Sequence, residues 1–128
     1  MSISNPFSQV DRIQLEELAG WRITTAQAEL LVAEQGAQVL SYRRFGEPPL
    51  IWLSDQARYL TGQGVRGGVP VCWPWFGDLQ RNPLAVQAMV QGEAPFHGLA
   101  RSLVWQLLSI AEQAEQVARA RRIDGVEL

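Results

Sequence analysis

The residues able to do chemistry are concentrated in two short segments, VRGGVPVCWPWFG at 65–77 and APFHGLAR at 94–101. Between them they hold Arg66, Arg101, the single histidine His97, the single cysteine Cys72, and the tryptophans Trp73 and Trp75. Guanidinium groups form paired hydrogen bonds with phosphate or carboxylate oxygens, and an indole face suits the C–H face of a sugar ring. A sugar carrying an anion would use both. Gly67 and Gly68 let the backbone approach a ligand or another segment closely, while Pro70 and Pro74 stiffen the chain around the tryptophans. The same residues also fit a plainer role. Trp73, Trp75 and Phe76 could plug the end of a β-sandwich while the arginines pair with surface acids.

His97 follows the apolar step Ala94, Pro95, Phe96 and precedes Gly98, with Arg101 four residues on. A histidine so placed can serve as a general acid, as a hydrogen-bond donor to a substrate oxygen, or as a satisfied buried imidazole. Asp78 and Glu93 are the carboxylates that could pair with it. Cys72 has no base motif around it, which disfavours a nucleophilic thiol. RGGVP lacks the glycine, lysine and hydroxyl spacing of a phosphate-cradling P-loop. One cysteine and one histidine rule against a structural zinc site, and a lone cysteine forms no intramolecular disulfide.

These residues need a scaffold, and the chain has the composition for one. Its 128 residues, 47% hydrophobic and 19% charged, suit a single globular domain with a real core. The net charge is -2 and the chain contains no lysine, so bulk attraction to nucleic acid is disfavoured. No basic segment with a following apolar run opens the chain, and no stretch approaches the ~18 apolar residues of a membrane span. A soluble, cytoplasmic protein without nucleic-acid or membrane partners is expected.

The periodicity predicts a mainly β protein, with strands at 12–18, 28–33 and 37–43 and a turn at 34–36. The prolines at 48 and 49 require a turn, after which 50–53 (LIWL) reads as a buried strand. Residues 54–83 lose periodicity and read as a long packed loop, of a kind that usually serves a site. A strand pattern returns at 102–110. Residues 111–122 fit either a helix, with Glu115 and Arg119 four apart, or an alternating strand through Val117, Arg119 and Arg121.

In their order and spacing, VRGGVPVCWPWFG and HGLAR resemble the signature of the hexose-6-phosphate 1-epimerases, the phosphosugar branch of the aldose 1-epimerase (galactose mutarotase-like) group. AELLVAEQGAQVLSY and PLIWLS resemble the family's opening strands. The resemblance runs from about Leu15 to about Ile110, leaving 111–128 as a divergent tail of a single partial domain. It implies an antiparallel β-sandwich, the mutarotase supersandwich, present here only as its N-terminal part.

By position, the resemblance makes Arg66 and Arg101 the holders of the substrate phosphate. His97 contacts the sugar and Trp73 forms a wall of the site. The residue before that histidine is often polar in the family, whereas here it is Phe96. The implied reaction exchanges the α and β anomers of glucose 6-phosphate or a close relative by ring opening, rotation and closure, without a cofactor or metal. The family's proton-transferring histidine and glutamate both come from later in its chain. These residues are therefore expected to form a phosphate half-site without that pair. A non-catalytic hexose-phosphate-binding module and a fragment that self-associates through exposed sheet edges are the alternatives.

Overall fold

A computed structural model describes residues 9–110 and the backbone of 122–123 and 126–127. Four strands, β1 (Gln9–Leu15), β2 (Leu18–Thr24), β3 (Ala28–Ala33) and β4 (Val39–Arg44), form one antiparallel sheet in chain order. Side chains alternate across such a sheet, so Leu18 in β2 and Ala33 in β3 turn to the same face. There they meet Leu40, fully buried, and Val65 from the long loop, with Leu53, Ala57 and Tyr59 packed around them. The loop thus closes the core. Burying a leucine such as Leu40 contributes about 1.5–3 kcal/mol.

The strand expected at 12–18 is in fact the end of β1, a turn at Glu16 and Glu17, and the start of β2. Two glutamates carry no hairpin signature. Their turn is held from elsewhere: the Arg58 guanidinium donates to the Glu16 carboxylate (2.9 Å) and the Tyr59 N–H donates to it as well (3.1 Å). The Glu17 carboxylate accepts from the Thr61 N–H (2.9 Å), and the Glu17 N–H donates to the Tyr59 carbonyl (3.0 Å). A contact more than forty residues away in sequence replaces local turn chemistry.

The strand at 28–33 forms as expected, and the next begins at Val39 because Gly36 and Ala37 take positive φ of 74° and 47° in the turn. Segment 50–53 is not a buried strand. Leu50 and Trp52 are 77% and 65% exposed, and only the bridge between Leu53 and Gly67 pairs it regularly. Segment 102–110 is likewise no strand: a 3-10 turn spans Ala100–Ser102, Val104 bridges Gln35, and Leu103, Val104 and Leu108 are exposed. Both segments meet neighbouring backbone only at isolated points, Leu50 at Tyr42 and Leu53 at Gly67 in the one, Leu103 to Trp105 at residues 34–36 in the other, and such points do not extend into a ladder. The loop 54–83 stays irregular as expected, apart from a 3-10 turn at Leu79–Arg81, and the helix α1 (Leu84–Ala88) follows it. The choice between helix and strand at 111–122 lies outside the described residues except at Arg122. That residue belongs to a two-stranded pair of β5 (Arg122–Ile123) and β6 (Val126–Glu127).

Two buried glutamines fasten the loop to the sheet. The Gln35 amide donates to the Gln63 carbonyl (3.0 Å) and accepts from the Gly62 N–H (2.9 Å), while Gln38 donates to the Gly67 carbonyl (2.7 Å). Each satisfies backbone groups that the irregular loop cannot pair by itself. The loop carrying Arg66 is therefore anchored on both sides of that residue.

Candidate functional site

Gly67 and Gly68 sit between the edge strand β4 and segment 52–53. The Gly68 N–H donates to the Trp52 carbonyl, the Val69 N–H to the Val39 carbonyl (both 2.8 Å), and the Ser54 N–H to the Arg66 carbonyl (3.0 Å). Their φ values are 117° and 71°, and a Cβ at Gly67 would lie 2.7 Å from the Leu53 Cα. Glycine is required by protein backbone here, and the close approach is to another segment. The result is an exposed Arg66 side chain on a pinned backbone.

A second crossing brings the two motifs together. Gly98, at φ 82°, lies against Trp73 so closely that a Cβ would overlap the Trp73 carbonyl. That carbonyl accepts from both the Leu99 N–H (2.8 Å) and the Ala100 N–H (3.0 Å). Trp73 itself is 66% exposed and Phe76 is 71% exposed, whereas Trp75 is buried and its indole N–H donates to the Pro95 carbonyl (3.0 Å). The aromatic cluster therefore divides. Trp75 is the plug; Trp73 and Phe76 offer faces to the outside.

His97 lies between Phe76 and Phe96, with ring centroids at 4.7 and 3.9 Å. Its Nδ1 accepts from the Gly77 N–H (2.9 Å), and its own backbone N–H donates to the Gly77 carbonyl (3.0 Å). With the Nδ1 lone pair committed, the neutral ring carries its proton on Nε2 and presents a donor. The pairing of His97 with Asp78 or Glu93 does not form: among the described residues neither carboxylate contacts the imidazole. The backbone of Gly77 has taken the nitrogen that a carboxylate would have used. Cys72 is half-buried and free.

Arg101 is half-buried. Its backbone packs on Gly36 at the turn between β3 and β4, its Nη1 lies 3.3 Å from where a Gly64 Cβ would stand, and its guanidinium carbon is 5.9 Å from the Phe96 ring centre. Arg101 therefore reaches from the histidine segment to the loop, two residues from Arg66. Neither arginine takes part in an ion pair among the described residues. Among those residues, no group of three or more histidine, cysteine, aspartate or glutamate side chains could hold a metal ion.

Spacing alone did not reveal Gln35, Gln38, or the groove beside His97 lined by Phe76, Gly77, Asp78, Arg81, Asn82 and Phe96. For the glutamines the available signal was their flanking of Gly36 in the turn. For the groove it was the arginine and asparagine of DLQRNP next to the aromatic run.

Residues 21–126 match the family described as "Aldose 1-epimerase". The chain is 41% identical over 109 residues to a protein of Escherichia coli (strain K12) named "Putative glucose-6-phosphate 1-epimerase", covering 85% of this chain and 34% of that one. A namesake from Salmonella typhimurium is 41% identical over 98 residues, with 77% and 30% covered. A solved Salmonella typhimurium structure described as a mutarotase superposes with a TM-score of 0.65 at 38% identity, covering 85% of this chain and 33% of that chain. The chain thus spans about a third of the length of the curated relatives it matches. Among the described residues no helix is long and apolar enough to cross a membrane.

Proposed function

Because the chain belongs to the aldose 1-epimerase family, we propose that Arg66 and Arg101 hold the phosphate of a hexose 6-phosphate whose ring lies against Trp73 and His97. The crossing of Gly98 over Trp73 carries this reading, because it sets an exposed indole, an Nε2 donor and an unpaired guanidinium on one short stretch. The relatives named as glucose-6-phosphate 1-epimerases support glucose 6-phosphate as the first ligand to test.

Anomer exchange requires a base to take the proton of the anomeric hydroxyl and an acid to protonate the ring oxygen. The residues at this site bind. His97 has its Nδ1 occupied by Gly77 and donates from Nε2, which suits holding a substrate oxygen better than delivering a proton. We therefore assign substrate holding to Arg66, Arg101, His97 and Trp73, and the proton transfers to other groups. On this reading the segment by itself is a hexose-phosphate-binding module.

Titration calorimetry of the full chain with glucose 6-phosphate tests this. Saturable binding is expected, with an affinity lowered about a hundredfold or more in an Arg66→Ala, Arg101→Ala double variant, since each charged hydrogen bond contributes about 1.5–3 kcal/mol. Unchanged affinity in the double variant would refute the reading. Anomer exchange followed by NMR should remain at the spontaneous rate. Acceleration that disappears in His97→Ala would instead make His97 the acid.

A second reading is favoured by the flank where Leu50, Trp52 and Val69 are exposed, with Trp52 and Val69 on adjoining, hydrogen-bonded segments. Apolar surface of this kind marks association, here with a second copy of the chain. Sedimentation velocity over a wide concentration range decides it, and a concentration-independent monomer removes it.

A further inference from the structure

The groove beside His97 has a volume of about 330 Å³, at the lower end of the range for small-ligand sites, which leaves room for the hydroxyl-bearing edge of a ring held beside it. Phe76 and Phe96, which clasp the histidine ring, are also two of its walls. Asp78 and Arg81 stand on the third side, both exposed.

The loop bearing these two charges is firmly held. Asn82 spends both hydrogens of its amide on the carbonyls of Phe76 (2.9 Å) and Asp78 (2.8 Å), and the Arg81 N–H donates to the Asp78 carbonyl (3.0 Å). Gln87 then donates to the Asn82 carbonyl (2.8 Å). Four hydrogen bonds thus fix the backbone from Phe76 to Asn82. None of them uses the side chain of Asp78 or Arg81.

Among the described residues, those side chains have no ordinary structural partner. Asp78 occupies the N-cap of the 3-10 turn yet makes no capping hydrogen bond, and the two residues form no ion pair although only three positions apart. A carboxylate and a guanidinium on a stiff loop, beside aromatic walls, form a surface with offsetting charge. Such a surface favours the neutral, hydroxyl-bearing edge of a sugar over an anion: the carboxylate accepts from neighbouring hydroxyls and the guanidinium donates to an oxygen.

We propose that this groove reads the hydroxyl groups of the sugar, with Asp78 as the acceptor and Arg81 as the donor that set which hexose phosphate is preferred. The inference rests on the reading of Arg66 and Arg101 as the phosphate holders and assigns the opposite end of the same ligand.

The test is an NMR titration of the ¹⁵N-labelled full chain with methyl glucoside and with inorganic phosphate, separately, together with affinities for glucose 6-phosphate. The glucoside should move the amides of Gly77, Asp78 and Asn82, and phosphate should move those around Arg66 and Arg101. Asp78→Asn should weaken glucose 6-phosphate about tenfold and leave inorganic phosphate unaffected, the size expected for a charged hydrogen bond. As both side chains are exposed and make no hydrogen bond or ion pair among the described residues, the variant's amide spectrum should otherwise match the parent and verify its fold. Amides at 77–82 that stay still with glucoside, or that respond to phosphate alone, would overturn the proposal. So would undiminished binding in Asp78→Asn. If phosphate still perturbs Arg66 and Arg101 in that case, the phosphate site stands and only the hydroxyl-reading groove falls; if it does not, the phosphate reading falls with it.

Discussion

Gly77 and His97 hold each other by two hydrogen bonds in opposite directions: the His97 N–H donates to the Gly77 carbonyl, and the Gly77 N–H donates to His97 Nδ1. This reciprocal contact joins the two motif segments and selects the Nε2–H form of the imidazole. It also holds His97 at φ 67°, a left-handed conformation unfavourable for a residue with a Cβ.

Replacing His97 therefore separates two effects. Both His97→Ala and His97→Gly lose the Nδ1 acceptor, worth about 1 kcal/mol. Glycine alone relieves the left-handed strain, so it should be the more stable of the two by up to about 1 kcal/mol, reversing the usual order. Urea unfolding compares them, and alanine proving more stable would contradict the assigned backbone.

Gly98→Ala should be among the most damaging single changes, costing more than about 3 kcal/mol, because the added Cβ overlaps the Trp73 carbonyl at a positive φ. Gly62→Ala is the control. Its φ is also positive, at 79°, but nothing lies within 4 Å of the added atom, so only the conformational cost of about 1–2 kcal/mol remains. Equal losses in thermal unfolding would mean that the crossing is not tight.

Trp75 and Trp73 should respond unequally to the same substitution. Trp75→Phe removes the indole hydrogen bond to the Pro95 carbonyl, which keeps its bond from the Gly98 N–H (3.1 Å), and together with the shrinking of a buried ring should cost about 1–2 kcal/mol. Trp73→Phe, on an exposed ring, should stay within about 0.5 kcal/mol in unfolding experiments. A larger loss at Trp73 than at Trp75 would exchange the roles of plug and wall.

The Glu16 turn gives the protein an acid-sensitive contact. Hydrogen bonding to the Arg58 side chain, with a further bond from the Tyr59 N–H, lowers the Glu16 carboxyl below its ordinary value of 4.5. A carboxyl lowered in the folded state adds stability that is present above its unfolded value and is lost as pH falls through the folded one. Stability measured from neutral pH downward should therefore decline less steeply in Glu16→Gln than in the parent. Added salt should shrink the difference, since the pair is exposed to solvent. Identical acid limbs for the two proteins would remove Glu16 from this role.

Much of the scaffold was readable wherever a local pattern agreed with its neighbours. The run AELLVA forms β3 with the bounds its composition suggests, and the Gly- and Pro-rich stretch 54–83 stays irregular apart from short turns. The hairpin at Glu16 and Glu17 was hidden because its turn is stabilised by Arg58, Tyr59 and Thr61. Segments 50–53 and 102–110 carried strand-like residues but pair with their neighbours only at isolated bridges. Strand propensity describes a fit to a pleated surface, and it forms no strand where the adjoining backbone offers no continuous ladder.

The amino-acid order alone was enough to tie the chain to the aldose 1-epimerase family and to nominate Arg66, Trp73, His97 and Arg101 for the proposed site, because residue type and spacing along the chain carry the resemblance. It could not say which of three neighbouring aromatics is buried, which imidazole nitrogen is free, or that Asp78 and Arg81 border the same groove as Phe96. Those follow from two backbone crossings, Gly98 over Trp73 and His97 against Gly77, that join segments about twenty residues apart. Hydrogen bonding and burial are properties of neighbours in space, and only the folded chain decides who those neighbours are.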